Sequence, residues 1–160
     1  MNEGKRFEAD FKASVPKDVY YLRLHDSTGA FDVEHSQQRF ALRSPYDVVL
    51  CRDGIMYCFE LKTNGGKSMS FSGASPRIKQ RQVDELLKAE AAGAVAGLIL
   101  NFRSTGETFF IRASDFKRFT ESTARKSISI YDARKIGYFI PRRKLRVNYR
   151  YMLDTVLAHR

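Results

Sequence analysis

The stretch from Pro45 to Lys62, Pro-Tyr-Asp-Val-Val-Leu-Cys-Arg-Asp-Gly-Ile-Met-Tyr-Cys-Phe-Glu-Leu-Lys, constrains the fold of this chain more than any other. Two runs rich in Val, Ile, Tyr and Phe flank Asp53-Gly54, and Asp-Gly is a favoured two-residue hairpin turn because glycine takes a positive φ without strain. A two-residue turn sets the register. Arg52 faces Ile55, Cys51 faces Met56, and counting outward places Asp47 opposite Glu60. Residues paired in this way share one face of a sheet with Cβ atoms roughly 5 Å apart. The alternation of side chains along a strand puts Lys62 on that face as well. Two carboxylates and an ammonium are therefore expected at one end of one hairpin.

Like charges placed directly opposite each other weaken a strand pair unless something neutralises them. A divalent cation does so, and a pair of hard oxygen ligands suits Mg²⁺, which keeps waters that a phosphate can replace. Mn²⁺ suits the same donors. Lys62 would then stabilise developing negative charge or help to take a proton from water. The plainer alternative places Asp47 and Glu60 at fraying strand ends facing solvent, where carboxylates are commonest. Cys51 and Cys58 fall on the same face, nearer the turn. Two thiols are too few for a structural zinc site, and both are expected to be buried as small hydrophobes.

At 160 residues the chain is expected to form a single domain, 1–160. A hydrophobic content of 43% with 29% charged residues excludes wholesale disorder. No run of 18 apolar residues occurs, so no membrane span is expected. The charged stretch from Glu3 to Lys12, without an apolar leader, points to a cytoplasmic protein. The net charge of +10 is unevenly placed: 12 Lys/Arg lie between Arg112 and Arg150 against Asp115, Glu121 and Asp132, whereas residues 1–111 carry 15 basic and 14 acidic side chains. A basic C-terminal third, 112–160, fits contact with a polyanion, most simply nucleic acid. Arg142, Arg143, Lys144 and Arg146 are its densest run. A solvated basic face is the alternative.

Along the chain, residues 3–14 read as a helix with Phe7 and Phe11 as its apolar stripe, stopped by Pro16. Glu8 lies beside that stripe, either as a salt-bridge partner or as a third carboxylate for the hairpin. Val19–Leu24 reads as a strand. The polar stretch 26–44 is a long loop or a short projecting arm. His25, His35 and His159 match no metal or triad spacing and are expected at the surface. Residues 63–76 are small and polar with three glycines. They fail the Walker pattern and read as a mobile loop beside the site, with Lys67 as a phosphate contact, or as a linker.

A helix is expected from Pro76 to Ala92, ended by Gly93, with Ile78, Val83, Leu86, Leu87 and Ala91 inward. Gln82 lies at the margin of that arc and needs a partner. It would hold a metal-bound water or a phosphate, or satisfy the backbone of a neighbouring strand. Val95–Phe102, apolar on both faces, suits a central strand, and Glu107–Arg112 supplies the next. Ser114 is expected to cap a helix from Asp115 to Ser122. Residues 127–146 give no firm pattern. A last helix is expected from Asn148, turning Tyr149, Met152, Leu153 and Val156 inward. The order implies an α/β fold in which helices flank a mixed central β-sheet.

The set Glu8, Asp47, Glu60-Leu61-Lys62 and Gln82 resembles the PD-(D/E)xK nuclease superfamily, and more narrowly the RecU-type Holliday junction resolvases. The similarity extends to Gly4-Lys5-Arg6-Phe7-Glu8, Gln82-Val83, Lys126-Ser127-Ile128 and Arg146-Val147-Asn148-Tyr149. The resemblance implies a restriction-endonuclease-like core in which Asp47 and Glu60 bind Mg²⁺. Gln82 would complete the metal site, Lys62 would stabilise the transition state and Glu8 would support it. It also implies a homodimer that hydrolyses phosphodiesters in two strands of a four-way DNA junction. Two positions depart from the pattern. Pro45 stands where the family often has threonine, and the 26–44 arm is short where the family has a stalk that enters the junction. A less selective nuclease of the same superfamily and a non-catalytic basic DNA-binding protein are the competing readings.

Overall fold

The computed structural model describes residues 2–26 and 43–159. The 26–44 arm and His35 therefore lie largely outside the described residues. Helix α1 (Glu3–Ser14) opens the chain, capped by Asn2, whose side chain accepts from the Lys5 N–H at 2.9 Å. Strands β1 (Tyr20–Arg23), β2 (Val48–Arg52) and β3 (Ile55–Asn64) pair in succession, β1 with β2 and β2 with β3, both antiparallel. The hairpin register is the one expected, with Arg52 facing Ile55 and Cys51 facing Met56. Both turn residues hold positive φ, 52° at Asp53 and 76° at Gly54, as a tight hairpin of this hand requires.

Beyond β3 come β4 (Ser68–Ser70) and α2 (Gln80–Ala91), then β5 (Val95–Phe102), which lies parallel to β3. Parallel neighbours need a crossover, and α2 supplies it. Strand β6 (Glu107–Arg112) returns antiparallel, followed by α3 (Ala113–Ser122), β7 (Ser127–Ser129), α4 (Ile130–Ile136) and β8 (Tyr138–Phe139). The central sheet has the order β1-β2-β3-β5-β6-β8. A separate hairpin pairs β9 (Arg142–Lys144) with β10 (Tyr149–Tyr151), and α5 (Asp154–Leu157) ends the fold.

Alternation along the inner strands divides the apolar residues between two cores. Cys58, Ala96, Leu98 and Leu100 face Val83 and Leu86 of α2 and Phe116 of α3. Tyr57, Phe59, Leu61 and Ile99 face Phe7 and Phe11 of α1 and the C-terminal Tyr151 and Val156. Because β5 is covered on both sides, all of its residues are buried. The even-numbered residues of β3, Glu60 and Lys62 among them, look toward the α2 side.

Several sequence expectations give way to tertiary contacts. Residues 63–76 are not a loose loop: β3 runs on to Asn64, and β4 pairs with β7 because Met69 and Ile128, opposite each other, are both buried. Helix α2 starts at Gln80 rather than Pro76, since the N–H groups of Arg77 and Ile78 are taken by Ser70. Ala91, at its end, is exposed. Ser114 caps nothing, its N–H and hydroxyl both going to Glu90 while α3 begins one residue earlier. The last helix shrinks to Asp154–Leu157. The Tyr149 and Tyr151 N–H groups are drawn instead to Asp10 and Ser14 of α1, which holds that segment extended and leaves Met152 exposed. Cys51 is exposed beyond the cover of α2, beside Tyr20 and Met56. His159 is partly buried against Tyr138, their rings 4.1 Å apart.

Gly97 shows how closely β5 and β6 are fitted: a Cβ there would stand 2.1 Å from the Ile111 carbonyl oxygen and 2.8 Å from the Phe110 ring. Gly97→Ala is expected to destabilise the chain by about 1–3 kcal/mol through overpacking. Urea denaturation would read this as a lower midpoint with an unchanged slope.

Candidate active site

The ladder between β2 and β3 ends at the Val48–Phe59 pair. Asp47, one residue further out, donates its N–H to the Phe59 carbonyl at 3.1 Å and turns its carboxylate back to the next free donor of β3, accepting from the Leu61 N–H on Oδ2 at 2.7 Å. That carboxylate thereby replaces a missing ladder bond and is held in one place. Its other oxygen accepts from Arg23 of β1 at 3.1 Å.

Glu60 stands opposite, 1% exposed. Its Oε1 accepts from the Lys62 ammonium at 2.6 Å and from the Gln82 amide nitrogen at 2.5 Å. The Gln82 oxygen accepts from the Lys79 N–H at 3.4 Å, so one side chain caps the start of α2 and holds the glutamate. Exchanging the oxygen and nitrogen of that amide would set two acceptors against each other. Glu60 Oε2 is buried and, alone among the buried side-chain polar atoms of the described residues, has no hydrogen-bond partner. Burial, followed by the negative charge of Asp47, raises the Glu60 pKa to about 7, although Lys62 and Arg23 pull it down.

The two carboxylates and Gln82 open into a cleft of about 380 Å³ that Arg23, Lys79 and Arg81 also line. Glu8 does not reach the carboxylates. It accepts from Arg23 at 2.9 Å, and Arg23 links it to Asp47. The residues assigned to DNA contact lie elsewhere. Lys67 is exposed in the turn before β4, and Arg142 is stacked over the Tyr149 ring at 3.9 Å. Arg143, Lys144 and Arg146 are exposed on the β9–β10 hairpin. No group of three or more His, Cys, Asp or Glu side chains suited to a metal comes together among the described residues.

Sequence reasoning missed Arg23, Lys79 and Arg81. Arg23 is the one cation in Val-Tyr-Tyr-Leu-Arg-Leu, but its two carboxylate partners are fixed only when β1 pairs with β2. Lys79 and Arg81 did leave a local sign. Cations at a helix start oppose the macrodipole, and this first turn carries no acid, a combination that suits an external anion.

The unpartnered oxygen is where the donor set can be tested against a cation. A buried, unpartnered oxygen on a carboxylate that stands opposite another carboxylate is a costly arrangement by itself and a fitting one for a hard divalent ion. In a chelator, the folded chain holds a proton on Glu60 up to about pH 7, whereas an unfolded glutamate releases it near 4.5. The folded state thus binds more protons in that window, and stability falls as pH rises through it. Glu60→Gln has no such loss, so it is expected to gain on the wild type by about 3 kcal/mol between pH 4.5 and pH 8 in urea denaturation with chelator present.

The profile of the RecU family, described as Recombination protein U, matches residues 17–155. A SPbeta prophage-derived uncharacterized protein of Bacillus subtilis (strain 168), YotM, is 27% identical over 168 residues, which span 96% of this chain and 84% of that protein. In three dimensions the chain is similar to Archaeoglobus fulgidus Hjc, a Holliday junction resolvase from an archaeal hyperthermophile, with a TM-score of 0.56 and 18% identity over 85% of this chain and 95% of the other. That likeness shows a restriction-endonuclease-like fold, a mixed sheet flanked by helices. With the profile covering nearly the whole described core, the chain belongs to the RecU family.

Proposed function

We propose that the chain is a divalent-metal-dependent endonuclease that resolves four-way DNA junctions. The observation that carries the reading is Glu60, whose Oε2 is buried and unpartnered, standing opposite Asp47 in a cleft with a basic rim. Membership of the RecU family supports it. Asp47 and Glu60 would hold the cation, Mg²⁺ or Mn²⁺, and Gln82 would complete the site, its amide nitrogen fixing Glu60 and its oxygen, which accepts from the Lys79 N–H at 3.4 Å, keeping a second lone pair free. When bound, the cation would neutralise phosphate charge and acidify a water.

The remaining steps belong to the chain's own groups. Lys79 and Arg81, at the start of α2, would draw the scissile phosphate into the cleft, aided by the positive end of the helix. Lys62, hydrogen-bonded to Glu60, would stabilise the charge that grows on the phosphoryl oxygens as water attacks phosphorus and the bond to the leaving deoxyribose oxygen breaks. Arg23 would keep Asp47 oriented, and Glu8 would keep Arg23 in place. Cutting two strands of like polarity calls for two such sites related by a two-fold axis, which a homodimer supplies. No helix among the described residues is long and apolar enough to cross a membrane.

The test is incubation of the protein with four-way junctions, linear duplex and single strands, with Mg²⁺ or with chelator. Paired symmetric cuts in the junction are expected with metal only. Asp47→Asn is expected to lower the rate by about 10³-fold, the equivalent of several kcal/mol of lost charge stabilisation. Equal cutting of linear duplex would assign a less selective nuclease of the same fold. Binding without cutting under any divalent metal would leave a DNA-binding protein.

A further inference from the structure

We propose that the β9–β10 hairpin and the first turns of α1 form a second binding groove, for the phosphodiester backbone of duplex DNA, on the face of the sheet opposite the Glu60 cleft; the DNA substrate is taken from the function proposed above. A cavity of about 460 Å³ lies between α1, the end of β5 and this hairpin. Arg6, Arg103, Arg142, Lys144 and Arg146 line it. Two acids share the lining, and both are engaged: Glu3 pairs with Arg103 at 3.2 Å, and Asp10 accepts from the Tyr149 N–H at 3.3 Å. Lys144 and Arg146 have no ion-pair partner among the described residues and are exposed.

The hairpin itself carries an unrelieved cost. On the hairpin's other face, turned away from the groove, Arg143 stands directly opposite Arg150 in a pairing only three residues long, and neither has a carboxylate partner among the described residues. Directly opposed like charges destabilise such a pair. The hairpin is nevertheless held firmly. Ser14 takes the Tyr151 N–H at 2.8 Å, Arg6 donates to the Val147 carbonyl at 2.9 Å, and Arg142 is stacked over Tyr149. The fold thus fixes Arg6, Arg142, Lys144 and Arg146 around the groove, and no ion pair among the described residues relieves their repulsion. A phosphate row offsets it, with about one charge per 1.7 Å of duplex axis and oxygens that fit the guanidinium fork. Tyr151 packs into the α1-side core, whereas Glu60 and Gln82 sit on the α2 side. Contacts on both faces of one sheet suit a DNA with more than one arm better than a single straight helix.

The test uses the full chain with chelator, so that binding is read without cutting. Affinity for a four-way junction is measured against salt for the wild type, Lys144→Gln/Arg146→Gln, and a control with the same charge change on other exposed lysines, Lys117→Gln/Lys135→Gln. Loss of two phosphate contacts is expected to lower the slope of log K against log salt by about 2 in the groove variant and to weaken binding at least about 10-fold at moderate salt. The control slope is expected to stay at the wild-type value, and Lys144→Arg/Arg146→Lys is expected to retain the wild-type slope. Equal slopes for the groove variant and the control would overturn the groove. Cutting by the wild type is scored separately with Mg²⁺, so a protein that binds as described but does not cut refutes the nuclease and leaves the groove standing.

Discussion

The confrontation of Asp47 with Glu60 is the constraint on which the site depends. Two carboxylates meet across adjacent strands, one of them nearly sealed from water, and the surrounding groups satisfy three of their four oxygens. Arg23, Lys62 and Gln82 reduce the repulsion without removing it, as the upward pull on Glu60 shows. Ordinary folding selects against a charge left in this condition. Under the proposed function, a divalent cation held between the two carboxylates would relieve that charge.

The sheet gives this arrangement its firmness. Strand β3 is paired on both sides and buried on both faces, so Glu60 projects from one of the least mobile parts of the molecule. Helix α2, which supplies Gln82, is also the crossover that makes β3 and β5 parallel. The helix that completes the fold therefore also completes the site. On the other face, α1 holds the Arg23 network through Glu8 and fastens β10 through Asp10 and Ser14. One short helix thus reaches both the cleft and the basic hairpin.

How much of this was legible in the sequence follows from the range of the interactions involved. The hairpin register could be counted from Asp53-Gly54 because a two-residue turn is a local decision, and α1 and β5 were legible from their own periodicity. The C-terminal segment was not. The spacing of Tyr149, Met152, Leu153 and Val156 fits a helix, while Tyr149 and Tyr151 also fit a strand, and the choice rests on Asp10 and Ser14, far away in the chain. Arg23 was hidden for the same reason, since its role exists only once β1 lies beside β2. Pro76 suggested a helix start that hydrogen bonds to Ser70 postpone by four residues.

The central claim is that Asp47 and Glu60 together form a divalent-cation site, and calorimetric titration of the intact protein with Mn²⁺ tests it most directly, without any need for DNA or turnover. One site per chain is expected in the wild type, lost in Asp47→Asn and in Glu60→Gln, with binding that strengthens as pH rises to about 7 and levels off above it, because the Glu60 proton must leave first. No binding by the wild type, or unchanged binding in both variants, would contradict the account.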